Sequence, residues 1–155
     1  VTVRPFNTFG PRQSARAIVP TIITQCLTEG TVRLGNLTPR RDLNYVTDTI
    51  EGFILAAASP QAVGRTINLG SGCEVSIGDL ARRIMELAGR RPSIEQDPQR
   101  LRPPSSEVER LLADNTVART LLGWAPAVSL DEGLRMTLEW MRSHVDQYRP
   151  DLYVT

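Results

Sequence analysis

Hydrophobic positions along this chain follow two periods in turn, and the alternation predicts short strands followed by helices. The β-branched run Val1-Thr2-Val3 is typical of a buried strand, and Thr31–Leu34 and Thr66–Leu69 also have strand character. Helical spacing of apolar residues is found in Ala15–Leu27, Asp48–Ala58, Ile77–Leu87, Asn115–Leu122 and Leu130–Val145. Strands alternating with helices predict a small α/β domain.

The first predicted strand runs into a loop that is rich in Asn, Gly and Pro, at Arg4–Gln13. Open α/β sheets bind ligands beyond the carboxyl ends of their strands. This loop is therefore a candidate ligand site. An ordinary junction between a strand and a loop explains the composition equally well.

Composition narrows the class of protein. The 155 residues are 41% hydrophobic with a net charge of +1, which predicts one globular domain and argues against a nucleic-acid binder. No apolar run is long enough to cross a bilayer and no signal-peptide pattern opens the chain, so we expect no membrane association. Cys26 and Cys73 have no paired spacing, which predicts buried free thiols in the reducing cytoplasm.

The loop also resembles a known family. Arg4–Gln13 matches the R-x-F-N-x-[YF]-G-P-x-Q signature of the extended short-chain dehydrogenase/reductase enzymes, the NAD-dependent nucleotide-sugar epimerases and 4,6-dehydratases. Asn7–Arg16 is most similar to the UDP-N-acetylhexosamine 4,6-dehydratases, and the resemblance extends from Val1 to about Trp140.

This resemblance implies the C-terminal substrate-binding domain of an extended Rossmann-type α/β enzyme. The expected architecture is a small sheet with several helices, lacking the N-terminal dinucleotide-binding half. Residues 1–14 would end the nucleotide-binding sheet and connect it to the nucleotide-sugar-binding domain, 15–155.

The sequence lacks the features that this family uses for its chemistry. All 18 basic residues are arginine, so the chain cannot supply the family's Tyr-x-x-x-Lys pair. Gly70-Ser71-Gly72 is the nearest approach to a dinucleotide-binding loop, and it lacks the third glycine. The resemblance therefore implies that NAD serves the parent enzyme. This chain alone is expected to bind no NAD, to hold no catalytic residue and to be inactive.

Three polar residues are candidates for binding the diphosphate of a nucleotide sugar. Arg41 and Arg102 would offer planar guanidinium groups, which meet phosphate oxygens through paired hydrogen bonds, and Asn7 would offer an amide donor. The resemblance implies the same role for each of them. A solvated surface charge is the competing interpretation for either arginine.

The base would need an apolar slot with a few backbone groups. By position in the family, Ala17 and Ile18 would supply backbone contacts, while Val32 and Leu34 would wall the base or simply pack in the core. Pro5 would place its backbone against the nicotinamide, and Cys73 stands where an Asn often lies near the base. Cys73, Pro104 and Ser105 depart from the family pattern.

The predicted function is the substrate-binding portion of an NAD-dependent lyase or isomerase, a nucleotide-sugar 4,6-dehydratase or epimerase. It would hold a UDP- or dTDP-linked sugar and pair with the missing N-terminal half. Two alternatives are a stand-alone binding module without catalysis and an interaction domain that self-associates through an unpaired strand at Val1–Val3. Trp124 is interpreted as structural, and His144 as an exposed surface residue without ligand partners.

Overall fold

The structure of the chain, a computed structural model, describes residues 1–101, 103 and 107–148. These residues form two compact units. Unit 1 comprises Val1–Phe9, Arg40–Val75 and Arg110–Gly133. Unit 2 comprises the described residues of 10–39, 76–109 and 134–155. The fold is mixed α/β with small parallel sheets and α-helices, as the sequence predicts.

Two small sheets organise unit 1. Strand β1 (Thr2–Pro5) pairs in parallel with β5 (Thr66–Leu69). Strand β4 (Arg40–Tyr45) lies between β2 (Asn7–Phe9) and β6 (Glu74–Ser76), and β8 (Arg110–Leu111) also pairs with β4.

Unit 1 is closed by helices α2 (Val46–Ala58) and α4 (Thr116–Leu122). Its core includes Ile67, Leu69 and Trp124. The Trp124 indole is 2% exposed and donates a hydrogen bond of 2.9 Å to the carbonyl of Asp48, so its predicted structural role is confirmed.

Unit 2 holds helix α1 (Ile18–Thr28), strand β3 (Thr31–Leu34), helix α3 (Ile77–Ala88) and strand β7 (Ser93–Gln96). Strand β3 pairs in parallel with β7, and α1 contacts both β3 and α3. Ser76 caps α3 by accepting a hydrogen bond from the backbone of Asp79, as its position predicts. Helix α5 (Leu130–Arg142) begins in unit 1 and continues in unit 2.

Several expectations about the first residues are corrected by the structure. Val1 and Thr2 are exposed and β1 is paired with β5, so the predictions of a buried strand and of an unpaired strand are both wrong. The buried side chains of this sheet come from the partner strand, in which Ile67 and Leu69 are 0% exposed. Asn7–Phe9, expected in a loop, forms β2, because pairing with β4 outweighs local composition.

The first helix begins late. The apolar pattern predicts Ala15–Leu27, but α1 starts at Ile18 and Pro20 lies in its first turn. Proline is tolerated there because the first backbone N–H groups of a helix have no intrahelical partner.

Candidate functional site

The strand register of unit 1 brings two of the predicted phosphate ligands onto one sheet face. Asn7 of β2 pairs with Leu43 of β4, two residues beyond Arg41. Side chains two residues apart on a strand share a face, and directly paired residues in a parallel sheet point the same way. Asn7 and Arg41 therefore share a face, and both side chains are half-buried.

Both residues also make local contacts. The Asn7 amide donates 3.2 Å to the carbonyl of Asp42, and the Arg41 guanidinium donates 2.9 Å to the carbonyl of Arg40. Farther along the same face, Phe9 and Tyr45 pack edge to face with ring centroids 5.6 Å apart. Burial raises the pKa of the Tyr45 phenol above its ordinary value. The face thus passes from polar groups to a buried aromatic pair.

The carboxylate of Asp42 fixes the backbone next to Arg41. Asp42 is 0% exposed. One of its oxygens accepts from the backbone N–H of Ser71 at 2.7 Å and from the Ser71 hydroxyl at 2.6 Å, and the other accepts from the N–H groups of Gly72 at 2.9 Å and Ala113 at 3.1 Å. Hydrogen bonds to a charged acceptor are stronger than neutral ones. Three chain segments are therefore tied together at the residue that follows Arg41.

Gly70 is required for this arrangement. A Cβ atom at Gly70 would lie 2.9 Å from a carboxylate oxygen of Asp42 and 3.2 Å from the Cβ of Phe6. The missing side chain lets the 70–72 loop approach the carboxylate closely. The short Gly-Ser-Gly run therefore serves an internal anion, Asp42.

Strands β4, β6 and β8 also carry a group of ion pairs. Glu74 accepts from Arg110 at 2.5 Å and from Arg40 at 3.5 Å, and Arg40 is directly paired with Arg110 across β4 and β8. One carboxylate thus meets two guanidinium groups. Neighbouring residues of a strand point to opposite faces, so Arg40 and its ion-pair partners lie on the face opposite Arg41.

Cys73 and Pro5 are the other unit 1 positions named from the family pattern. Cys73 is exposed, so the prediction that it is buried is wrong; the loop that carries it faces solvent. Its N–H donates 3.1 Å to the Ser71 hydroxyl, whose own proton is donated to Asp42. Pro5 ends β1 and is exposed. Neither placement tests a ligand contact, and both roles stay predictions.

The base-binding candidates of unit 2 lie at the start of α1 and on β3. The N–H of Ala17 donates 2.9 Å to the carbonyl of Ser14, and its carbonyl accepts the N–H and the hydroxyl of Thr21 at 3.0 and 2.9 Å. Val32 and Leu34 are 0% and 2% exposed. The side chains of this pair therefore belong to the unit 2 core, and Ile18 is half-buried. Their contact with a base stays a prediction.

Arg102, the third predicted phosphate ligand, lies outside the described residues, as do Pro104 and Ser105. Cys26 is buried as predicted, and burial raises the pKa of its thiol, an effect that the nearby Arg90 partly offsets. Among the described residues no cluster of side chains is suited to hold a metal ion.

The 70–72 loop does not fit the role of a dinucleotide-binding loop. The only Gly-x-Gly run, at 70–72, has the N–H groups of Ser71 and Gly72 committed to the Asp42 carboxylate. A dinucleotide-binding loop uses such N–H groups for the phosphates. Pro5 alone remains as a predicted nicotinamide contact.

Sequence reasoning missed Asp42 and Ser71 as the anchors of this site. Neither residue has a role assigned to it from the sequence. A signal was available, since a carboxylate inside a predicted strand must find donors and a Gly-Ser-Gly turn offers backbone N–H groups. His144 was also misjudged as exposed: it is half-buried and stacks on Trp140 with centroids 4.2 Å apart.

Comparison with known proteins assigns the chain to a protein family. Residues 1–137 match the sequence profile described as GDP-mannose 4,6 dehydratase. The chain belongs to the GDP-mannose 4,6 dehydratase family. This confirms the resemblance to the extended short-chain dehydrogenases/reductases that act on nucleotide sugars.

Relatives of this family member carry different activities. A UDP-glucose 4-epimerase of Mycolicibacterium smegmatis is 34% identical over 145 residues, covering 91% of this chain and 45% of the relative. A dTDP-glucose 4,6-dehydratase of Streptomyces griseus is 32% identical, covering 93% of this chain and 43% of the relative. The structure of a UDP-glucuronic acid 4-epimerase from Bacillus cereus, in complex with UDP-glucuronic acid and NAD, superposes with a TM-score of 0.84 at 28% identity, covering 93% of this chain and 45% of that one.

This family member thus spans less than half the length of these relatives. The coverage agrees with the predicted C-terminal part of an extended enzyme. Within the described residues, no helix combines the length and the apolar character needed to cross a membrane.

Proposed function

We propose that this chain is the substrate-binding portion of an NAD-dependent nucleotide-sugar 4,6-dehydratase or epimerase, and that Asn7 and Arg41 bind the diphosphate. The observation that carries the proposal is the parallel register, which sets both residues on one face of the β2–β4 pair. Family membership supplies the substrate class, and the guanidinium charge of Arg41 suits a diphosphate.

The physical role proposed for this site is orientation. A guanidinium group binds two phosphate oxygens at once, which fixes direction as well as position. Asp42 holds the backbone on which Arg41 stands, so little order has to be gained when ligand binds. Holding a substrate in one geometry is a large part of what a catalyst provides.

Because the N–H groups of the 70–72 loop donate to Asp42, this chain by itself is proposed to bind no NAD and to turn over no substrate. The base contacts assigned to Ala17, Ile18, Val32, Leu34 and Cys73 are separate proposals. So is the role of Arg102. A cytoplasmic location is part of the same proposal, since that compartment keeps thiols reduced.

Calorimetry with UDP tests the diphosphate site. We expect weak UDP binding and no heat with NAD. Arg41→Lys keeps the charge but removes the planar fork, so UDP affinity should fall about tenfold. The matched control is Arg65→Lys, an exposed arginine of the same unit, which should leave affinity unchanged. Equal affinity of wild type and Arg41→Lys, or turnover by this chain alone, would overturn the proposal.

A second candidate function, a protein-interaction surface, is favoured by one observation. Helix α2 leaves Ile50, Phe53 and Ile54 exposed at 53%, 44% and 57%, on one side of the helix. Exposed apolar stripes of this kind often bind protein. Because the chain matches less than half of the length of its relatives, we propose that this stripe contacts a dinucleotide-binding half.

Light scattering tests the stripe. The chain is mixed with the part of the Mycolicibacterium smegmatis UDP-glucose 4-epimerase that it does not match. We expect a one-to-one complex that Ile54→Asp weakens and that Val63→Asp, an exposed position outside α2, does not. Self-association of the chain would assign the stripe to a second copy, and a monomer indifferent to the added half would remove this candidate.

A further inference from the structure

The last described residue, Tyr148, makes a tertiary contact inside unit 2. Its hydroxyl donates a hydrogen bond of 3.0 Å to the backbone carbonyl of Gln13, 135 residues earlier in the chain. The side chain is half-buried, and burial raises the pKa of the phenol above its ordinary value, so the hydroxyl keeps its proton at neutral pH.

An aromatic cluster at the end of α5 supports Tyr148. The Trp140 ring meets Tyr148 edge to face, with centroids 6.2 Å apart, and stacks on His144 at 4.2 Å. His144 Nδ1 lies 2.8 Å from the carbonyl of Trp140 and 3.0 Å from the hydroxyl of Ser143. The Tyr148 ring therefore rests on a packed support at the end of the helix.

The loop that Tyr148 contacts has a backbone that does not suit its own sequence. The backbone N–H of Gln13 donates a hydrogen bond of 3.3 Å to the carbonyl of Gly10. This bond closes a four-residue turn in which Pro11 is the second residue and Arg12 the third. Arg12 has a φ of 66°, the left-handed region that the third position of such a turn reserves for glycine. A non-glycine residue persists in this region when surrounding contacts over-determine it. The Tyr148 bond is one such contact.

We propose that Tyr148 is a positioning residue for nucleotide binding: it fixes the 10–17 loop and, through it, the start of α1. This inference rests on the proposed function, because Ala17 and Ile18 are the backbone groups proposed to meet the base. The family profile ends at residue 137, so Trp140, His144 and Tyr148 lie beyond the segment that it matches. The tether therefore lies outside the segment that the family profile matches.

Hydrogen exchange and calorimetry on Tyr148→Phe test the tether. The substitution removes one hydroxyl and keeps the ring on Trp140. In the ligand-free chain, the N–H groups of Gln13 and Ala17 should exchange faster, since the bonds within their loop open more often. UDP affinity should fall about fivefold, the effect of one neutral hydrogen bond. Affinity for inorganic pyrophosphate, which has no base, should stay the same.

Thr28→Val is the matched control. It also removes one hydroxyl of unit 2 that bonds to a backbone carbonyl, that of Thr24, but that hydroxyl reaches neither the aromatic cluster nor the 10–17 loop. It should change neither exchange nor affinity. Unchanged exchange in Tyr148→Phe would overturn the tether, and faster exchange with unchanged UDP affinity would overturn the positioning role. Absence of UDP binding by the wild type would overturn the proposed function, while the exchange data would still decide the tether.

Discussion

The two units carry their candidate residues in different ways. In unit 1, Asn7 and Arg41 are half-buried on a sheet face, and the fully buried Asp42 behind them accepts four hydrogen bonds. In unit 2, Val32 and Leu34 are themselves the buried residues. The first arrangement leaves polar groups open to a ligand, and the second gives the side chains to the core.

This difference teaches what a family resemblance transfers. A resemblance assigns a role to a position in the sequence. Whether the side chain at that position is accessible to a ligand depends on its burial in the fold. Polar candidates keep their accessible surface because burying an unpaired charge is costly. Apolar candidates readily lose their accessible surface, since the apolar contacts that would bind a ligand also favour packing in the core.

The largest effect is expected from Asp42→Asn. Each oxygen of the Asp42 carboxylate accepts hydrogen bonds from two donors. In the variant, the N–H₂ group of Asn replaces one of these oxygens, so at least two buried hydrogen bonds would be lost. We expect the free energy of unfolding to fall by about 4 kcal/mol, measured by urea denaturation followed by circular dichroism.

Asp114→Asn is the control for that experiment. Asp114 is an exposed carboxylate of the same unit that accepts a 3.0 Å bond from Thr116. Its substitution should lower the free energy of unfolding far less than Asp42→Asn, because the Asp114 side chain is exposed to solvent. If the two variants were equally stable, the Asp42 network would not be what anchors unit 1.

A core truncation in unit 2 comes next. Leu34→Ala should lower the free energy of unfolding by about 3 kcal/mol, because a 2%-exposed leucine leaves a cavity when it is shortened. The same variant decides the role of Leu34 in ligand binding. Calorimetry at a temperature where the variant stays folded should show weaker UDP binding if Leu34 walls the base, and unchanged binding if it only packs.

Much of the fold was predictable because its signals are local. Ser76 and Gly89 mark the ends of α3, and the alternation of Thr31–Leu34 marks β3. The strand at Asn7–Phe9 was not predictable from composition, because it exists only through pairing with β4. Pairing of this kind is decided by residues distant in sequence.

The site was predictable in its residue types but not in its anchoring. Arg41 is predicted from guanidinium chemistry, which is a property of the residue itself, and from the family resemblance. The role of Asp42 depends on Ser71, Gly72 and Ala113, which lie 29 to 71 residues away. Contacts over such separations appear only when the chain is folded.

The two cysteines give a more modest test of the same contrast. Cys73 is exposed in unit 1 and Cys26 is buried in unit 2, so a thiol reagent should modify Cys73 first. If Cys73 lies near the base, UDP at ten times its dissociation constant should slow that modification about tenfold. Cys26, which reacts only when unit 2 opens, serves as the internal control. If UDP did not slow the modification of Cys73, Cys73 would not be part of the base site.

The smallest effect is expected from the buried ionisable groups at alkaline pH. Burial raises the pKa values of Cys26, Tyr45 and Tyr148 in the folded chain. Between the unfolded and the folded pKa, the folded state holds more protons than the unfolded state, so the free energy of unfolding falls as pH rises. The loss should begin near pH 9.0 for Cys26 and near pH 10.0 for the tyrosines, their ordinary values.

Urea midpoints between pH 8 and pH 11 measure this loss. Tyr148→Phe removes one titrating group, so its stability should depend less steeply on pH above about 10. Ionised Tyr148 can no longer donate to Gln13, so the wild type should approach the variant's faster exchange in the 10–17 loop over the same interval. A wild type and a variant with parallel pH profiles would show that Tyr148 titrates at its ordinary pKa, and that its hydroxyl is not held in unit 2 as the structure describes.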